Sequence, residues 1–235
     1  MSLSLIGKAL LFGGLLLLVK VSAFSWGSVV LFLAVSLFLY GQPIFNTFVF
    51  LSSFFVSLLL SLVIIAEIDN SFWLSLAIIL MGFVFYIILG LKNLVLIRRK
   101  EWHYFLQVIL FYLLFLILFF SNALDFEVIK ISAIFLISLL LIKELFGTQL
   151  PKTVGRRLLF VWLDSLLISQ FIWFLSLWPI GFISLATISI LMTFLLIDIT
   201  LRYCQDNFNR RWLWERALIS SLLVTIICLT SRWSL

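Results

Sequence analysis

The sequence predicts an all-α, polytopic integral membrane protein with about nine transmembrane helices in antiparallel hairpins and a cytosolic N-terminus. Three observations carry that expectation. The chain is 65% hydrophobic and 11% charged, with a mean hydropathy of +1.30, which leaves too little polar surface to enclose a soluble globule. Its Leu, Ile, Phe and Val fall into runs near the ~20 residues that match a hydrocarbon core of roughly 30 Å, without the alternation of a barrel strand. Lys and Arg gather in the gaps between alternate pairs of runs, as in chains whose short basic loops share one side of a bilayer.

The first run, Leu5 to Val19, is short, with Lys8 near its start and Lys20 just beyond its end. With Val21-Ser22-Ala23 it gives residues 1–23 the outline of a signal peptide, but Lys20 within the small-residue segment favours an uncleaved first span. A second span runs from Phe24 to Tyr40. Gly41-Gln42-Pro43 ends it, because proline lacks the N–H a helix needs. The third, Ile44 to Ala66, closes on an acidic turn of Glu67, Asp69 and Asn70. The fourth covers Phe72 to Leu91, and the basic connection Arg98-Arg99-Lys100 leads to a fifth from Tyr104 to Phe120.

Asp125 and Glu127 mark the next turn, before a sixth span from Val128 to Ile142. The seventh is Leu158 to Leu177, the eighth Gly181 to Tyr203 and the ninth Ala217 to Ser231. Connections of about 15 residues after the sixth and eighth spans fall far short of an independent soluble fold, so residues 1–235 read as a single membrane domain.

With the N-terminus in the cytosol, every Lys and Arg except Lys20, Lys130 and Arg232 lies on the cytosolic side, the bias that sets orientation. Trp26, Trp73, Trp178 and Trp233 then fall at outer ends and Trp102, Trp212 and Trp214 at inner ends, where amphipathic rings anchor. Arg98-Arg99, Arg156-Arg157 and Arg210-Arg211 each precede an outward span, the spacing that short-looped hairpins produce without an internal repeat. The net charge of +6 is thereby accounted for. The expected partners are the lipid bilayer, anionic lipids at the cytosolic face and membrane-protein subunits, not nucleic acid. The expected location is the cell membrane, the cytoplasmic membrane in a prokaryote.

Asp164 and Asp198 are the only acids this pattern places inside the hydrocarbon, in adjacent antiparallel spans and at a shared depth of roughly 8–9 Å below the inner boundary. Ionisable groups there cost about 2.5–3.5 kcal/mol on insertion scales and tend to mark pathways or paired sites. Two carboxylates held close can share one proton, the chemistry of a relay or an acid/base dyad. The structural alternative is that Asp198 pairs with Arg202 at i,i+4, while Asp164 is served by Arg157, Ser165 or water. Asp164, Asp198 and Arg202 are therefore the binding or proton-relay candidates.

The remaining polar features read as helix packing. Ser53, Ser57 and Ser61 form one stripe, Ser75, Gly82, Tyr86, Gly90 and Asn93 another, and Ser165, Ser169 and Ser176 a third, since small residues let helix backbones approach in lipid. His103, the only histidine, falls in a basic loop and reads as interfacial, too little for a histidine-based metal site. Cys204 falls near the cytosolic surface and Cys228 deep in the last span, too far apart for a disulfide, and both read as free thiols. No catalytic residue, metal or cofactor is assigned.

Nine spans with aspartates in adjacent spans resemble the layout of the presenilin-type intramembrane aspartyl proteases. That resemblance stops at layout, because Asp198 follows Leu195-Leu196-Ile197 where the family has Gly-x-Gly, and the ninth span has no proline. Rhomboid Gly-x-Ser-x-Gly, His-Glu-x-x-His and Walker A motifs are absent from the sequence. The expected function is a small permease or membrane-transport subunit; the alternative is a non-catalytic scaffold or assembly factor, followed by an intramembrane enzyme.

Overall fold

The structure, a computed structural model, describes residues 2–42, 49–93, 98–120, 127–150, 156–205 and 209–231. Pro43, Ile44, Asp125, Lys152, Arg232 and Trp233, which the hydropathy pattern assigns to span ends and connections, lie outside them. Among the described residues the chain is all helical, with α1 Ser2–Val21, α2 Trp26–Gly41, α3 Leu51–Glu67, α4 Ser71–Lys92, α5 Arg99–Phe120, α6 Glu127–Gln149, α7 Arg157–Ser176, α8 Phe182–Cys204 and α9 Arg210–Thr230. Six of these, α1, α4, α5, α7, α8 and α9, are long and apolar enough to cross a membrane, while α2 and α3 are shorter apolar helices of 16 and 17 residues.

Local chemistry fixes several ends. The side chains of Asn70 and Asn209 accept the backbone N–H groups of Phe72 at 2.9 Å and Arg211 at 3.0 Å, capping α4 and α9. Between α1 and α2 the chain reverses through Ala23 and Phe24, both left-handed at φ 49° and 57°, with the Phe24 N–H donating to Val19 O at 3.1 Å. Charges shift two other limits. Helix α5 begins at Arg99 rather than Tyr104, and α6 continues past Ile142 through Lys143 and Glu144 to Gln149, because a charged residue ends the apolar run without ending the helix.

Two compact units divide the chain at residue 110, within α5. In the first, α1 packs on α4 with further contacts to α2 and α3, and α3 also packs on α4. Phe12 of α1 anchors this core, stacked on Phe85 at 4.3 Å and tilted against Phe32 at 5.2 Å. Gly82 lies against the Ala9 carbonyl, where an added Cβ would be 3.6 Å from the oxygen, and Gly13 lies against Ile78; these absent side chains permit the close α1–α4 approach.

The polar stripes partly follow expectation. Ser53, Ser57 and Ser61 are all buried in α3, whereas Ser75 at the start of the α4 stripe is exposed. His103 is not a loop residue: it sits at the start of the second turn of α5, 1% exposed, against Phe50 and Gln107. Gln107 Nε2 donates to Ser53 Oγ at 3.0 Å, tying α5 to α3 through a buried polar contact.

The second unit is built on antiparallel α6, α7 and α8, with α9 packed on α8. Leu175, Ile180, Leu185 and Ile188 close the α7–α8 turn under Phe119, Trp178 and Ile227. Helix α9 has no buried residue and meets α8 near both of its ends, where Ser231 Oγ donates to Ser184 Oγ at 2.7 Å and Trp212 lies under Arg202.

Candidate functional site

Asp164 lies in the first half of α7, and its side chain is completely buried between α7 and α8. The Thr200 hydroxyl donates to Asp164 Oδ1 at 3.0 Å; Oδ2 is buried and has no hydrogen-bond partner among the described residues. Neither residue expected to serve it does so. Arg157 turns to α6 and donates to Lys143 O at 3.0 Å, and Ser165 Oγ donates to Val161 O at 2.7 Å.

Asp198 is not the partner of Asp164. On a helix of 3.6 residues per turn, Asp198 and Thr200 point about 200° apart. Thr200 faces α7, and Asp198 is turned to the other side of α8, where its carboxylate lies 3.7 Å from Arg202 Nε with both side chains more than a third exposed. The Arg202 guanidinium sits 4.0 Å from the centroid of the Trp212 ring, so it is held between a carboxylate and an aromatic face. Asp198–Arg202–Trp212 is a peripheral clamp between α8 and α9.

Other buried polar groups lie on the same helices. On α7, Ser165 and Ser169 are buried; on α8, Thr200, Thr193 and Ser189 are buried at i, i−7 and i−11, one face spanning about 16 Å along the axis. The contact of Arg157 with Lys143 and of Trp162 with Phe135 sets the antiparallel α6–α7 register, which brings Ser138 of α6 within about one turn of Asp164's level. Ser138 and Ser189 hydroxyls are buried and, like Asp164 Oδ2, have no partner among the described residues. The α7 serines, in contrast, are bonded to their own helix backbone.

An acceptor oxygen stranded in an apolar interior costs about 1–3 kcal/mol, more when it is charged. A proton or a small cation on Oδ2 removes that deficit, and the neighbouring hydroxyl oxygens can both donate and accept. The arrangement can therefore take up and release a positive charge. Among the described residues no group of three His, Cys, Asp or Glu could hold a metal ion.

Thr200, Ser138 and Ser189 were not singled out by spacing alone, although the α8 stripe Ser189, Thr193 and Thr200 is visible as one helical face in the sequence. No family model, curated protein or solved structure matches the chain.

Proposed function

We propose that the chain is a small permease or membrane-transport subunit that crosses the cell membrane nine times with its N-terminus in the cytosol. In this reading Asp164 is the group that carries a proton or small cation. The single observation behind it is the buried Asp164 carboxylate with one hydroxyl donor and one oxygen that has no partner among the described residues. Asp198 and Arg202 are positioned at the edge of the same helix pair and anchor it to α9.

The orientation is supported within each unit separately. In the first, Lys8, Lys92 and Arg99 lie at one end of the helices and the Lys20–Asp69 pair at the other. In the second, Arg157 and Arg202 lie at the end where α6 and α8 finish and α7 and α9 begin. The scaffold reading is favoured by one fact, that the α7 serines are satisfied by their own backbone and need no ligand.

Flux separates the two. In proteoliposomes with an internal pH-sensitive dye and an imposed potassium-diffusion potential, or with radioactive sodium outside, the wild-type chain carries protons or sodium and Asp164→Asn does not. Asp198→Asn keeps the flux. Wild-type vesicles no leakier than protein-free vesicles to either ion, or full flux in Asp164→Asn, overturn the permease reading in favour of the scaffold.

A further inference from the structure

Lys92 ends α4 yet is 1% exposed, and its ammonium donates to the Tyr40 carbonyl at the end of α2 while lying 4.5 Å from the centre of the Tyr40 ring. Lys8 of α1 reaches the same turn, donating to Leu39 O at 3.3 Å and Gln42 O at 3.0 Å. Two ammonium groups thus converge on successive carbonyls and repel each other. Arg99 joins them from α5: it donates to Leu91 O at 3.0 Å at the end of α4 and lies over Phe50, one turn before the Phe54 ring that stacks on Tyr40 at 4.1 Å. The Arg99 Nε is buried and has no partner among the described residues.

Charge at this end does not balance. Residues 1–110 contain three acids, Glu67, Asp69 and Glu101. Glu67 ends α3 two residues before Asp69, which pairs with Lys20 at the opposite end of the helices, and Glu101 pairs with Arg98 on the surface. Lys8, Lys92 and Arg99 have carbonyl oxygens and rings as partners but no carboxylate among the described residues. A helix C-terminus offers about half a negative charge, so the ends of α2 and α4 together offset roughly one of three positive charges. About two remain at a recessed site, and a desolvated cation without a counter-charge is costly.

We propose that Lys8, Lys92 and Arg99 form a binding site for a phosphate group, supplied by the headgroup of an anionic lipid at this end of the helices. A phosphodiester or phosphomonoester brings the missing one or two negative charges and acceptors that suit two ammonium groups and a guanidinium. The leaflet follows from the orientation proposed above, while the binding itself depends neither on that orientation nor on Asp164.

Native mass spectrometry of the full chain released from detergent, titrated with phosphatidylglycerol or phosphatidylcholine, tests the site. Wild type retains phosphatidylglycerol with roughly tenfold preference, a difference of about 1.4 kcal/mol. Lys8→Gln and Lys92→Gln each remove most of that preference, and the exposed double variant Arg210→Gln/Arg211→Gln keeps it. If Lys92→Gln fails to fold, Lys8→Gln, on a half-buried residue, decides alone. Displacement of the lipid by millimolar inorganic phosphate, or phosphate-dependent thermal stabilisation lost in Lys8→Gln, supports the same site with a soluble ligand. No preference in wild type together with no response to phosphate overturns the proposal, and so does an equal loss in the Arg210/Arg211 control.

Discussion

Thr200 gives its hydroxyl proton to Asp164 Oδ1 at 3.0 Å across the α7–α8 interface, and this contact is the carboxylate's one hydrogen bond among the described residues. It joins the two helices where the carboxylate is fully buried. Thr200→Val keeps the volume and removes the donor, leaving both oxygens stranded. The expected cost is about 1–3 kcal/mol, read as a lower melting temperature in detergent, with Thr200→Ser close to wild type. A Thr200→Val protein as stable as wild type would show that the bond contributes nothing.

The Asp198–Arg202 pair should behave differently. At 3.7 Å and more than a third exposed, it is worth less than about 1 kcal/mol, so Asp198→Asn is nearly neutral for stability. Trp212→Leu removes the aromatic face under the guanidinium and costs more, about 0.5–2 kcal/mol. Thermal unfolding of the two variants ranks them; the reverse order would place the energy in the ion pair.

Ala23 is exposed and held at φ 49°, a conformation that costs a residue with a Cβ roughly 1 kcal/mol. Ala23→Gly relieves it without losing a packed side chain. Stability should rise by about 0.4–1 kcal/mol in an equilibrium denaturation series, the gain diminished by the larger freedom of glycine in the unfolded chain. A loss would mean that the turn is not strained.

Cysteine at Asn70, beside the Lys20–Asp69 end, is expected to react with an impermeant thiol reagent from outside sealed cells, and cysteine at Asn209, at the start of α9, is not. Lysed cells should label at both positions. Labelling at Asn209 and protection at Asn70 in sealed cells would invert the orientation.

Helix existence was legible from hydropathy because a bilayer-length apolar run has few other solutions, and the long apolar α4, α7, α8 and α9 lie where the runs lie. Helix limits were less so. Arg98, Arg99 and Lys100 mark where a run meets water, but the helix is continued by backbone hydrogen bonds, which is why His103 belongs to α5 and is buried. Lys92 falls just past the fourth apolar run, and its burial depends on where α2 ends in space, on Tyr40 more than fifty positions earlier. The burial of Asp164 could be read from its place in an apolar run. Its partner could not, because choosing Thr200 over Asp198 requires the rotation of α8 about its own axis, which spacing within one helix does not set against another.

The close approach of α1 to α4 has a consequence for synthesis. Ala9 meets Gly82 and Gly13 meets Ile78, contacts joining residues about 70 positions apart. At roughly 5–20 residues per second, a ribosome needs about 4–14 seconds to make the second surface after the first has emerged. For that interval α1 has α2 and then α3 for company but not its main neighbour, and its glycine face has no packing partner. The first helix is thus made well before its main neighbour exists, and the interval before α4 arrives is when premature association of that face with another apolar helix would compete with folding.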